Sequence, residues 1–160
     1  MTESKPLRDS PLELLRHRMQ RVRLEAHPSP APDAVFDLKA SVNVARHTEN
    51  LRRWTATLDV EFGPQDEARP TLYSGFVSFF GEFEVSPAFP DSGVQRLVEV
   101  TGVSMLYGAC REAIANLSAR ATHGMITLPS VSFFDQSRKD ENKPTGGRKV
   151  PGTKQKVVGP

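Results

Sequence analysis

The first candidates for chemistry in this 160-residue chain are its four histidines, its one cysteine and its paired carboxylates. His17, His27, His47 and His123 fall in separate turns or element ends, and no pair has a spacing such as H-x-x-x-H that would set two imidazoles on one helix face. Cys110 lies within an apolar helical pattern, where a cysteine packs as a small hydrophobe. A nucleophilic role would require an adjacent base and an electropositive setting. Arg111 and Glu112 beside it read as ion-pair partners of neighbouring turns. Asp59 and Glu61 share the polar face of one strand and read as a solvated pair. Thr145-Gly-Gly-Arg-Lys149 lacks both the G-x-x-x-x-G-K-[ST] spacing and a preceding strand, so it is not a phosphate loop. Nucleophile, base and orienter nowhere come together. The expectation is a non-enzyme with no catalytic residues, cofactor or metal.

The elements that carry these residues follow from periodicity. Residues 11–18 read as a helical turn or two. Residues 20–26 alternate, with Val22, Leu24 and Ala26 on one face of a short strand. The run 27–32 holds three prolines, which fix φ and remove donors, so it is a connector. Ala34, Phe36, Leu38, Ala40, Val42 and Val44 alternate with polar residues, and so do Trp54, Ala56, Leu58, Val60 and Phe62. A third long strand over 72–85 sets Tyr73, Val77, Phe79, Phe83 and Val85 on one face, and Phe76 and Phe80 on the other. Short links between strands predict an antiparallel meander. A short helix follows near 93–100, and Thr101-Gly-Val103 interrupts it. A longer helix runs over 104–122, with Ser104 as its N-cap and a packing stripe through Leu106, Cys110, Ala113, Leu117 and Ala121. His123-Gly124 stops it, and 125–134 is a short extended segment. The fold class is α+β: a four-stranded antiparallel sheet followed by a short and a long helix packed on one face.

Charge divides the chain. Residues 138–160 hold seven Lys/Arg and two acids, a charge of +5, whereas residues 1–137 are −3. The basic pI of about 8.9 therefore belongs to the tail, which argues against nucleic acid as the partner. No stretch approaches the roughly 18 apolar residues that span a bilayer. The N-terminus lacks the apolar core of a signal peptide. The expectations are no membrane insertion, a cytoplasmic location, and three segments: a flexible 1–18, a folded 19–134 and a disordered basic 135–160. Aromatic area exceeds what one helix pair covers, and a sheet with helices on one face leaves the other face for a partner.

Three stretches carry a resemblance. Met105-Leu106-Tyr107-Gly108-Ala109-Cys110-Arg111-Glu112, then Ser118-Ala119-Arg120, then Ile126-Thr127-Leu128-Pro129-Ser130-Val131-Ser132-Phe133 follow one another in order. Upstream stand Gly81-Glu82-Phe83-Glu84-Val85, and Leu24-Glu25-Ala26 before the prolines. Over residues 19–134 the chain resembles the SecB family of protein-export chaperones. The resemblance implies a homotetramer, a dimer of dimers, that binds unfolded or precursor polypeptides in apolar grooves without ATP. It implies client contacts among Val42, Val44, Phe76, Phe80, Phe83, Val85 and Phe89, and a core or oligomer helix through Leu106, Cys110, Ala113 and Leu117. Glu25 matches one of the acids through which the family docks the export motor ATPase. Arg21 and Phe76 stand where the family carries acids, and Gly108-Ala109 replaces its Pro-Tyr. The alternative implied is a SecB-fold adaptor dedicated to one partner, such as an antitoxin.

Overall fold

Residues 9–134 are described by a computed structural model of the chain. Four strands form one antiparallel sheet: β1 (Leu12–Ala26), β2 (Phe36–Arg46), β3 (Arg53–Pro64) and β4 (Tyr73–Val85). Their spatial order is β1-β4-β3-β2. Only β2, β3 and β4 form the expected meander. The first strand pairs with the last, so the chain must cross from one sheet edge to the other between β1 and β2. The proline run makes that crossing, since a segment without donors leaves few backbone groups to satisfy. It is tied down where it can be: the amides of His27 and Ala31 donate to the Leu72 and Pro70 carbonyls.

β1 departs most from the sequence reading. It begins at Leu12, so residues 12–18 are strand and not a helical turn within a flexible lead. The reason is two β-bulges. The pairing with β4 slips between Leu14 and Arg16 and again between Met19 and Arg21. Each extra residue exchanges the inward and outward sets. The inward residues are Leu12 and Leu14, then His17 and Met19, then Val22, Leu24 and Ala26. That pattern has no single period of two and imitates a helical spacing.

One face of the sheet is covered by a helical run. It opens with a 3₁₀ turn (Asp91–Gly93), passes through α1 (Val94–Leu97) and a π-helical turn (Val98–Gly102), and continues as α2 (Val103–Ser118). The expected short and long helices are therefore one continuous run, joined where Thr101-Gly-Val103 was expected to break it. Ser104 is not a cap. Its hydroxyl donates to the Val100 carbonyl one turn back. The run ends at Ser118, one turn before Thr122.

The core lies between this run and the inward residues of β3 and β4. The buried helical stripe is Val103, Leu106, Tyr107, Cys110, Ile114 and Ser118. Leu106 and Cys110 belong to it as expected. Ala113 lies at its edge, and Leu117 is 41% exposed. The stripe continues through Ile114 because a residue four positions after Cys110 stays on the same face.

Glycine is required at two close approaches, one within the sheet and one between sheet and helix. At Gly75 an added Cβ would lie 2.3 Å from the Arg23 carbonyl oxygen and 2.6 Å from the Phe62 ring. At Gly81 it would lie 2.8 Å from Leu106 and 3.0 Å from Phe83. We predict that Gly75→Ala costs about 1–3 kcal/mol through overpacking and that Ile114→Ala costs about 2–5 kcal/mol through an unfilled cavity. Both are read from the denaturant midpoint. Deleting residues 1–18 should also lower that midpoint, because it removes the fully buried Leu12; an unchanged midpoint would return residues 12–18 to a flexible lead.

Candidate functional site

Beyond its last helical residue the chain turns back along α2. Gly124 takes a positive φ of 80°, which reverses the direction. The Tyr73 hydroxyl clamps this turn: it donates to the Gly124 carbonyl (3.0 Å) and accepts from the His123 amide (2.7 Å). His123 Nε2 lies 2.6 Å from the His27 carbonyl oxygen and so fastens the turn to the end of β1. Ser118 exchanges hydrogen bonds with the Ile126 backbone. The returning segment is then pinned to the helix itself. Arg111 Nε donates to the Leu128 carbonyl (2.9 Å), and the Tyr107 hydroxyl donates to the Pro129 carbonyl (2.6 Å). Leu128 and Phe133 are buried, and Phe133 meets Tyr107 edge-on with centroids 5.7 Å apart. The extended segment seen in the sequence is therefore a strap along α2. Arg111, taken in the sequence for a helix ion pair, is one of its pins.

The helix and its strap are narrower than the sheet. They cover β3 and β4 and leave the inward faces of both flanking strands partly open. On β2, Phe36, Leu38, Ala40, Val42 and Val44 are only partly buried against the core. On β1, Met19 is 45% and Val22 38% exposed, although both point to the helix side. Further apolar groups stand out from the helix and strap, including Met105, Leu117, Met125 and Val131. Exposed apolar area of this kind marks an interaction surface.

An apolar depression lies at one end of this surface. It encloses about 500 Å³ between the proline connector, the start of β2, the start of β4 and the strap. Pro30, Pro32, Phe36, Leu72 and Ile126 line it, with Tyr73 at its base. Phe36 is held there by stacking on Phe62, centroids 5.8 Å apart. None of these five residues was among the client contacts expected from the sequence. They come from four separate segments, and only the return of the strap brings them together.

The residues singled out for client contact do not form one groove. Phe83 and Val85 are fully buried, each 0% exposed, and belong to the core beneath the helix. They drop out as contact residues. Val42 and Val44 lie on the open flank of β2. Phe89 is partly buried in the turn after β4, where Arg52 donates to its carbonyl (2.9 Å). Phe76 and Phe80 lie on the opposite face of the sheet. Glu25 is exposed on that face as well, with its carboxylate 3.9 Å from Arg23.

Burial pushes the Cys110 thiol up to about 12, so it carries a proton at neutral pH. Among the described residues no three His, Cys, Asp or Glu side chains gather in a way that could hold a metal ion. No described helix is long and apolar enough to cross a membrane.

The same fold occurs in known structures. The SecB-like chaperone of Mycobacterium tuberculosis, solved in complex with a ChAD peptide from the HigA1 antitoxin, aligns with a TM-score of 0.60 at 18% sequence identity. The alignment covers 76% of this chain and 91% of that one. A protein of unknown function from Streptococcus agalactiae is similar with a TM-score of 0.41 and 12% identity, over 74% of this chain and 97% of that chain. The sequence matches no protein-family model and no curated protein.

Two measurements check this site. Tyr107→Phe removes one hydrogen bond and leaves a carbonyl without its partner, a loss of about 1–3 kcal/mol. Amide exchange over 125–134 should quicken more than exchange in β3, and equal rates would deny the strap. Cys110 should resist an aromatic disulfide reagent at pH 8 while the protein is folded and react at once in denaturant.

Proposed function

From its SecB-like fold, we propose that this chain is an ATP-independent chaperone that holds non-native polypeptide on the apolar surface flanking α2. The observation that carries this reading is the uncovered inward face of β1 and β2, together with the depression at Leu72 and Phe36. A holdase needs apolar area that its own fold leaves open, solubility from the remaining charge, and no chemistry. The open apolar flanks of β1 and β2 supply the first of these. Burying one leucine-sized side chain is worth about 1.5–3 kcal/mol, so a few such contacts reach micromolar affinity.

A reading with one dedicated client is favoured by a separate observation. The similar Mycobacterium tuberculosis chaperone was solved with a peptide from an antitoxin. An antitoxin segment is therefore the first specific client to try. Coupling to an export motor would run through Glu25, which already sits beside Arg23. Assembly as a homotetramer would cover part of the exposed apolar area, and its solution mass would lie near four times 17.7 kDa.

The test is suppression of aggregation. The protein should keep a chemically unfolded client soluble without nucleotide, and Leu72→Glu should weaken this at least tenfold. Leu72 is exposed, so the melting temperature of that variant should stay within a few degrees. No suppression at several-fold molar excess, of either a general client or an antitoxin peptide, would sink the proposal. Capture of one stoichiometric protein, with no suppression of general clients, would select the dedicated reading.

A further inference from the structure

The sheet face turned away from the helix carries a second surface, distinct from the apolar flanks. Its outer strand is a row of arginines. Arg16, Arg18, Arg21 and Arg23 are paired across the ladder with Glu82, Phe80, Ser78 and Phe76 of β4. Partners across a ladder share a face, so all four arginines point to this side. Strict alternation would not achieve that, because Arg18 and Arg21 have opposite parity. The bulge at Gln20 brings them into one row, and the Gln20 side chain accepts a hydrogen bond from the Ser78 hydroxyl on that face.

The four are not equivalent. Arg16 forms a bidentate pair with Glu82, with N–O distances of 2.6 and 2.5 Å. Arg23 lies 3.9 Å from Glu25. Arg18 and Arg21 have no carboxylate within ion-pair distance among the described residues. Each lies instead over an aromatic ring: Arg18 Cζ is 5.0 Å from the Phe80 centroid, and Arg21 Cζ is 5.2 Å from that of Phe76. Stacking holds a guanidinium in place through its π face and leaves its N–H donors, which lie in the plane, unspent. These two side chains are thus positioned without being satisfied.

Beside them runs a groove of about 550 Å³ with Arg21 and Arg23 on one wall, Asp59 and Glu61 on the other, and Phe76 lining it between them. One carboxylate oxygen of Asp59, Oδ1, is buried and receives no hydrogen bond. The groove therefore has unspent donors on one side and carboxylates on the other, separated by the width of one strand. An extended polypeptide has the matching pattern, because its side chains alternate left and right about every 3.3 Å. Acidic side chains would meet the arginines, and hydroxyl or amide donors would meet the Asp59 and Glu61 wall. A polyphosphate chain fits less well, since the Asp59 and Glu61 wall would repel it.

We propose that this face binds an extended acidic polypeptide segment, held by Arg18 and Arg21 on their Phe80 and Phe76 supports. The probe is a fluorescein-labelled peptide of alternating Glu and Ser, about ten residues long, measured by anisotropy against the full chain. Binding should weaken as salt rises. Arg18→Ala with Arg21→Ala should weaken it at least tenfold while suppression of client aggregation stays unchanged, which separates failure here from failure of the chaperone reading. If the alanine pair disturbs the sheet, Arg18→Lys with Arg21→Lys carries the test. It keeps both charges, loses the planar stacking, and should weaken binding several-fold. An unchanged Kd in a folded variant overturns the proposal. So does oligo(dT) binding as tightly as the peptide, which would assign the face to nucleic acid. A solution mass that falls in the folded variant also overturns it, because the face would then be a contact between copies of this chain.

Discussion

Phe83 stands where the two layers meet. Its ring lies close against Gly81 in its own strand and against Gly102 in the π-helical turn, and Leu12 of β1 reaches the same place. An added Cβ would lie 2.8 Å from Leu106 and 3.0 Å from Phe83 at Gly81, and 3.2 Å from Phe83 at Gly102, so a larger residue at either place crowds the junction. The two glycines let the helical run approach β4 closely here, and close packing of this kind leaves little slack for sliding.

Seated on β4, a single helix cannot cover four strands. It shields β3 and β4 and leaves the inward faces of β1 and β2 half open. The strap extends that cover without completing it, because Tyr107 and Arg111 hold it along the helix instead of over the flanks. The apolar surface proposed for clients is thus a geometric remainder of a narrow layer on a wide one. The opposite face has a different character. There the pairs Arg16–Glu82 and Arg53–Glu84 bridge neighbouring strands. The Arg16 guanidinium holds the Glu82 carboxyl below its usual range, but both groups are exposed and such pairs add little to stability. That face is polar for reasons of contact with solvent or partner, and the core does not depend on it.

Strands β2, β3 and β4 were legible because each keeps one period from end to end. A residue at every second position meets the same environment, so the alternation of Trp54, Ala56, Leu58, Val60 and Phe62 states its own structure. The π-helical turn was not legible. Thr101-Gly-Val103 has the composition of a break, yet in the fold Gly102 packs against Phe83 and the helix runs on through it. The aromatic residues of β4 were legible in part: alternation set Phe83 apart from Phe76 and Phe80, but only the structure shows that Phe83 is core and that the other two support arginines.

The sequence by itself determined the class of the fold and the inward set of three strands, because these depend on composition and on contacts at short, regular separations. The tertiary structure alone decided the pairing of the first strand with the last, the two bulges of β1, the row of arginines and the depression at Leu72. Those features depend on where distant segments meet. A bulge shifts a whole strand by one position for reasons that lie in its partner, and a groove built from four segments exists only once all four are in place.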